Sequence, residues 1–225
     1  MTRLGPLPAA FAHAALRACV AAVALGVGVG LGVATSGCAP AARPFPAESS
    51  PEGAYARVAV AIAEGRPRDV FPFVEDEAQW AAYTIRKERA AALERARRSF
   101  PKEALAPLES EYAADAAAPD GADVFVRLGK ARGWFARLKR DLSGVARTEV
   151  DGERATIVTA RGSRYPMRRR SVGLWGLTAY TAELTADAER ATRDRLRVEA
   201  AARDYELARA LPPGAPPNSA SAAPP

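Results

Sequence analysis

The sequence predicts an α+β domain with three N-terminal helices, an antiparallel meander of three or four short strands and one long closing helix. Three observations carry that prediction. Apolar residues recur at steps of three and four up to about Leu142, the period drops to two from Val145 to about Leu177, and a helical period returns near Thr181. Helices followed by hairpin-linked strands and a final helix place the helices on one face of an antiparallel sheet.

The first helix starts at Ser50-Pro51-Glu52, which supplies a capping hydroxyl, a proline in the first turn and an acid near the positive end of the dipole. Tyr55, Val58, Ala59 and Ile62 then share one face until Gly65 and Pro67 stop it. Phe71, Phe73 and Val74 read as a short apolar plug between elements. The second helix runs from Asp76 to Ser99, with Glu75, Asp76 and Glu77 at its start and Arg95, Arg97 and Arg98 at its end, and closes at Phe100-Pro101. An alanine-rich polar stretch with Pro107 and Pro119 reads as a connection. The third helix follows in GADVFVRLGKARGWFARLKRDL, where Val124, Leu128, Ala131, Phe135, Leu138 and Leu142 form one stripe widened by Phe125 and Trp134. These aromatic residues read as core.

From Val145 the alternation gives short strands. Asp151-Gly152 is a hairpin signal, because a tight primed turn needs positive φ angles that these residues tolerate, and pairing through it sets Glu149 against Arg154. Gly162-Ser163 is expected to close a second hairpin, with Val158 opposite Met167 and Ala160 opposite Tyr165. That register sends Arg161, Arg164, Arg168 and Arg170 to the other face as a basic stripe able to contact anionic groups. Pro166 marks an edge or a bulge.

The closing helix spans about Thr181 to Arg209 along Leu184, Ala188, Ala191, Val198, Ala202 and Tyr205, with Glu189–Arg193 and Glu199–Arg203 one turn apart. LPPGAPPNSASAAPP, residues 211–225, reads as a disordered tail rich in proline and alanine. The single domain is therefore expected over residues 51–210.

Ahead of the domain lies a leader with Arg3 and Arg17 and no acid, then the apolar run Ala18–Thr35. A positive start, an apolar core and a small-residue exit form an export pattern, and the glycines at 26, 28, 30 and 32 weaken a spanning helix. Thr35-Ser36-Gly37-Cys38 resembles the lipobox of bacterial lipoproteins, with Thr35 where that family prefers leucine. The resemblance implies that residues 1–37 are cleaved and that Cys38 carries lipid. Residues 38–50 are then a flexible tether. Two or three acyl chains hold a protein at a bilayer, since each buried methylene contributes about 0.8 kcal/mol. Ala39 stands where an aspartate would resemble an inner-membrane retention signal, so a periplasm-facing outer-membrane location is favoured over the inner membrane.

Cleavage before Cys38 would leave 188 of the 225 residues and remove Cys19 and His13, the one histidine. It also removes two of the 32 basic residues and none of the 26 acids, so the formal net charge falls from +6 to +4. A mature chain without histidine builds neither a Ser-His-Asp nor a Cys-His site, and usual zinc sites lose their preferred ligands. No P-loop or dinucleotide fingerprint is present. No cofactor, metal, catalytic residue or nucleic-acid partner is expected.

The order of helices, meander and closing helix resembles the cone-shaped domains of the nuclear-transport-factor-two-like superfamily. That resemblance implies pocket carboxylates or histidine as acids and bases. Glu149, Asp151 and Glu153 cluster at an exposed hairpin turn, so no catalytic role is carried over. The expected function is a non-catalytic envelope module, anchored to the membrane through Cys38 and contacting an envelope protein or an acidic wall polymer. The alternative is an enzyme or small-ligand carrier with a pocket between helices and sheet, using Asp, Glu, Tyr or Arg.

Overall fold

The computed structural model describes residues 45–211; the leader, Cys38 and the tail beyond Leu211 lie outside the described residues. The architecture is α+β, with helices packed on an antiparallel four-stranded sheet and a long C-terminal helix. Helix α1 spans Pro51–Ala63, and its Gly53 N–H donates to the Ser50 hydroxyl oxygen at 3.0 Å. Residues 45–50, assigned to the tether on composition, are packed onto this helix. Arg57 sits 5.0 Å over the Phe45 ring and donates to the Pro46 carbonyl at 3.2 Å. Gly53 permits the contact, because a Cβ there would lie 1.8 Å from the Ala47 oxygen. The packed chain thus includes residues ahead of Pro51.

A 3-10 turn, Pro67–Phe73, buries Phe71 and Phe73, which with the buried Val74 form the expected plug, and also buries Val70. Helix α2, Asp76–Ser99, has the bounds read from the sequence. Two features of the helical half differ from expectation. The stretch holding Pro107 forms helix α3, Lys102–Ala116, because Leu105, Leu108 and Tyr112 pack on Ala92, Ala96 and Val198. Tertiary burial there outweighs the roughly 3 kcal/mol that proline costs a helix interior. The expected third helix is instead two, α4 (Gly121–Ala131) and α5 (Trp134–Asp141), broken at Gly133 with φ 68°. The break returns Trp134 to the core against Phe125, ring centroids 5.9 Å apart, and against Tyr180 at 4.9 Å.

Strands β1 (Val145–Asp151), β2 (Arg154–Thr159), β3 (Arg164–Arg169) and β4 (Trp175–Leu177) pair in sequence order, all antiparallel. Both predicted registers need correction. Asp151 stays in β1 opposite Arg154, the turn is Gly152-Glu153, and Glu149 faces Thr156 rather than Arg154. Gly152 takes a positive φ, 56°. In the second hairpin a four-residue connection with Gly162 at φ 83° pairs Ala155 with Met167 and Ile157 with Tyr165. This shift has odd parity, so the buried partner of Met167 is Ala155 and not Val158.

Helix α6, Thr181–Ala210, leaves β4 through Tyr180 and runs along α2. The main core joins α1, the 3-10 turn, α2, α4, α5 and one sheet face around Phe125, Trp134, Ile157, Met167 and Leu177. A smaller core lies among α2, α3 and α6.

Candidate functional site: a groove over the outer sheet face

Alternation along β2 and β3 turns Ala155, Ile157, Tyr165 and Met167 into the core and leaves Arg154, Thr156, Arg164, Pro166 and Arg168 on the outer face. The chain entering α2 lies along the free edge of β4 and comes over its outer face at Gly176. Val74 makes a parallel bridge to Leu177, and the Glu75 N–H donates to the Leu177 carbonyl at 3.1 Å. Gly176, paired with Arg168, allows this approach: a Cβ on it would stand 2.7 Å from the Glu75 nitrogen. Glu75 is thereby carried to the sheet with only 5% of its surface exposed. Its carboxylate accepts from Arg168 at 2.7 Å and from the Thr181 hydroxyl at 2.7 Å, where α6 begins.

Between this carboxylate, the outer faces of β2 and β3, and the first turns of α6 lies a groove of about 740 Å³. Arg154, Thr156, Arg168, Thr181 and Thr185 line it with Glu75. The Thr185 hydroxyl is buried there without a hydrogen-bond partner. Arg154 and Arg168 stand directly opposite each other in the ladder, an arrangement of like charges that is unfavourable unless an anion offsets it. Glu75 offsets Arg168. Arg154 stands between Arg168 on one side and Asp151 of β1 on the other, and forms no ion pair within 4.0 Å among the described residues.

The four arginines read as one stripe are dispersed. Arg161 sits in the β2–β3 connection and donates to the Arg140 carbonyl. Arg164 pairs with Glu149 at 2.6 Å. Arg170 lies beyond β3, almost wholly buried, and donates to Asp76 at 2.6 Å, to Gln79 at 3.1 Å and to the Pro72 carbonyl. Of the four, Arg168 alone lines the groove. Sequence reasoning missed Arg154, since the assumed register put it opposite Glu149, and missed Glu75, which reads as an ordinary acid at a helix start.

Four further titratable groups are displaced away from neutrality. Burial works to raise Asp76, but hydrogen bonds from Ser171 and Arg170 outweigh it and hold the carboxyl below its usual range. Arg164 and Arg147 hold Glu149 low in the same sense. Burial pushes Tyr165 and Tyr180 up to about 12, so both stay protonated. Among the described residues there is no histidine or cysteine, and no group of three or more acidic residues placed to hold a metal ion.

Comparison with protein-family models, curated proteins and solved structures finds no match to this chain. No helix among the described residues is long and apolar enough to cross a membrane.

Proposed function

We propose that this chain is an envelope lipoprotein, held at the periplasmic side of the outer membrane by lipid on Cys38. Its domain is a non-catalytic binding module whose groove receives an acidic group of an envelope protein or wall polymer. The observation that carries the binding half is Arg154, a guanidinium that forms no ion pair among the described residues, set opposite Arg168 in a groove of ligand size. A carboxylate or phosphate placed between them would complete the alternation of charge that Glu75 begins. Glu75 is itself engaged by Arg168 and Thr181, which suits a fixed binding surface more than a proton shuttle.

The lipobox resemblance of Thr35-Ser36-Gly37-Cys38 carries the anchoring half. Only residues 39–44 separate Cys38 from the packed segment at Phe45. An extended chain of that length reaches roughly 25 Å, so the anchor keeps the domain close to the bilayer.

Two measurements test the halves separately. Intact mass of protein from bacterial membranes should show loss of residues 1–37 and added acyl mass, with Cys38→Ser released from the membrane; an unmodified cysteine ends the anchoring half. Binding of polyglutamate, followed by fluorescence, should weaken with salt and drop about tenfold in Arg154→Glu. Salt-insensitive binding that ignores Arg154 ends the other half.

The burial of Glu75 in the groove favours a second reading, a small-ligand carrier or enzyme. Recovery of a bound small molecule that Glu75→Gln releases, or its conversion to product by mass spectrometry, would select that reading.

A further inference from the structure

Among the described residues the outer edge of β1 is unpaired: every residue of the strand except Thr148 is exposed, and β2 is its one strand partner. Which backbone groups face outward follows from the neighbouring ladder. The Thr159 N–H donates to the Ser163 carbonyl and the Arg169 N–H donates to the Glu153 carbonyl, so odd-numbered residues of β2 turn their amides toward β3. The even ones, Arg154, Thr156 and Val158, therefore serve β1 through Asp151, Glu149 and Arg147. The N–H and C=O groups of Thr148 and Val150 are left pointing away from the sheet.

The strand is also complementary to itself. Laid antiparallel against a second copy about a two-fold axis through Thr148, Arg147 meets Glu149 of the second copy and Glu149 meets its Arg147. The outward-facing amides at Thr148 are the ones such a pair requires. Sliding the pairing to centre on Glu149 would instead set the two glutamates against each other, so the charge pattern selects one register.

We propose that β1 is a homodimerisation edge, joining two copies through Thr148-centred antiparallel pairing into one continuous eight-stranded sheet. The bulge between Val145 and Arg147 limits the regular edge to Arg147–Asp151. The interface is therefore short, and its dimer forms at raised protein concentration, as on a membrane surface where anchored chains are confined to two dimensions.

Sedimentation equilibrium of the full chain in density-matched detergent tests this, with a dimer dissociation constant as the readout. Arg147→Glu and Glu149→Arg should each raise that constant about tenfold, because each creates two like-charge contacts across the axis. The triple variant Arg147→Glu/Glu149→Arg/Arg164→Glu should return it to within about threefold of the parent, since both contacts across the axis, and the pair between positions 149 and 164 within each chain, are restored with exchanged signs. Val150→Pro deletes an N–H that faces away from β2, so it should abolish the dimer while thermal unfolding stays close to that of the parent chain. A chain that is monomeric at every concentration, or a dimer that survives Val150→Pro and the single reversals, overturns the proposal. Failure of the triple variant to rescue does so as well.

Discussion

The helical arm formed by α2, α3 and α6 rests on a buried ion pair, and removing half of it gives a sharp test of how the arm is held. Arg89 Nη1 lies 2.8 Å from Asp194 Oδ2, with side chains only 10% and 15% exposed, and its guanidinium sits 4.0 Å over the Tyr112 ring. One residue from each of the three helices meets there. Asp194→Ala strands Arg89 in that site, a change worth about 3 to 5 kcal/mol when the remaining charge is fully buried. The residual exposure places this pair at the low end, and alanine's better helix propensity returns about 0.5 kcal/mol. The expected net loss is about 3 kcal/mol, or about 9 °C in Tm for a domain of this size. Urea unfolding followed by circular dichroism measures it. Two comparisons isolate the cause. Glu94→Ala, at a pair whose partners are 72% and 64% exposed, should change stability by less than about 0.5 kcal/mol. Arg89→Met/Asp194→Leu removes both charges and should lie within about 1 kcal/mol of the parent. A loss below about 1 kcal/mol in Asp194→Ala, or a double variant as weak as the single, refutes the assignment of a desolvated pair.

Two further outcomes follow from the geometry. Hydrogen bonds from Arg95 and Ser99 hold Glu206 down at about 2 against an ordinary 4.5, so its contribution is present above pH 4.5 and is lost as pH falls from there toward 2. Thermal unfolding scanned across that window should show the loss, and Glu206→Gln should flatten it while lowering Tm at neutral pH. Gly176→Ala drives a methyl within 2.8 Å of the Val74 and Glu75 backbone, which cannot step aside as a side chain would. It should destabilise the domain by about 1 to 3 kcal/mol, read by calorimetry.

How legible each element was depended on whether its cause is local. Ser50, Pro51 and Glu52 mark the start of α1 by capping chemistry that acts within one turn, and α1 starts at Pro51. The acids at one end of α2 and arginines at the other mark its ends in the same local way. Helix α3 was hidden because its cause is distant: Pro107 argues against it locally, while the residues that bury Tyr112 belong to α2 and α6. Gly133 was read as part of a helical period because the period continues on both sides. What breaks the helix is the need to return Trp134 and Phe135 to Phe125. Gly129 makes room for that return, since a Cβ there would meet the Phe135 ring at 2.5 Å.

The groove was illegible for a related reason, and the two hairpins show how. Asp151-Gly152 names a turn correctly to within one residue, and the resulting slip of two in pairing sum leaves every side chain on its predicted face. In the second hairpin the slip is three, so the face assignments invert for one strand relative to the other. Met167 then pairs with Ala155 in the core, and Arg154 comes opposite Arg168 on the outside. A basic surface was foreseeable from composition alone, but the pairing of its arginines was not. Glu75 reaches Arg168 only because Gly176 has no side chain where a segment some hundred residues earlier in the chain passes over it, so a contact of the groove is set by a residue that carries no charge.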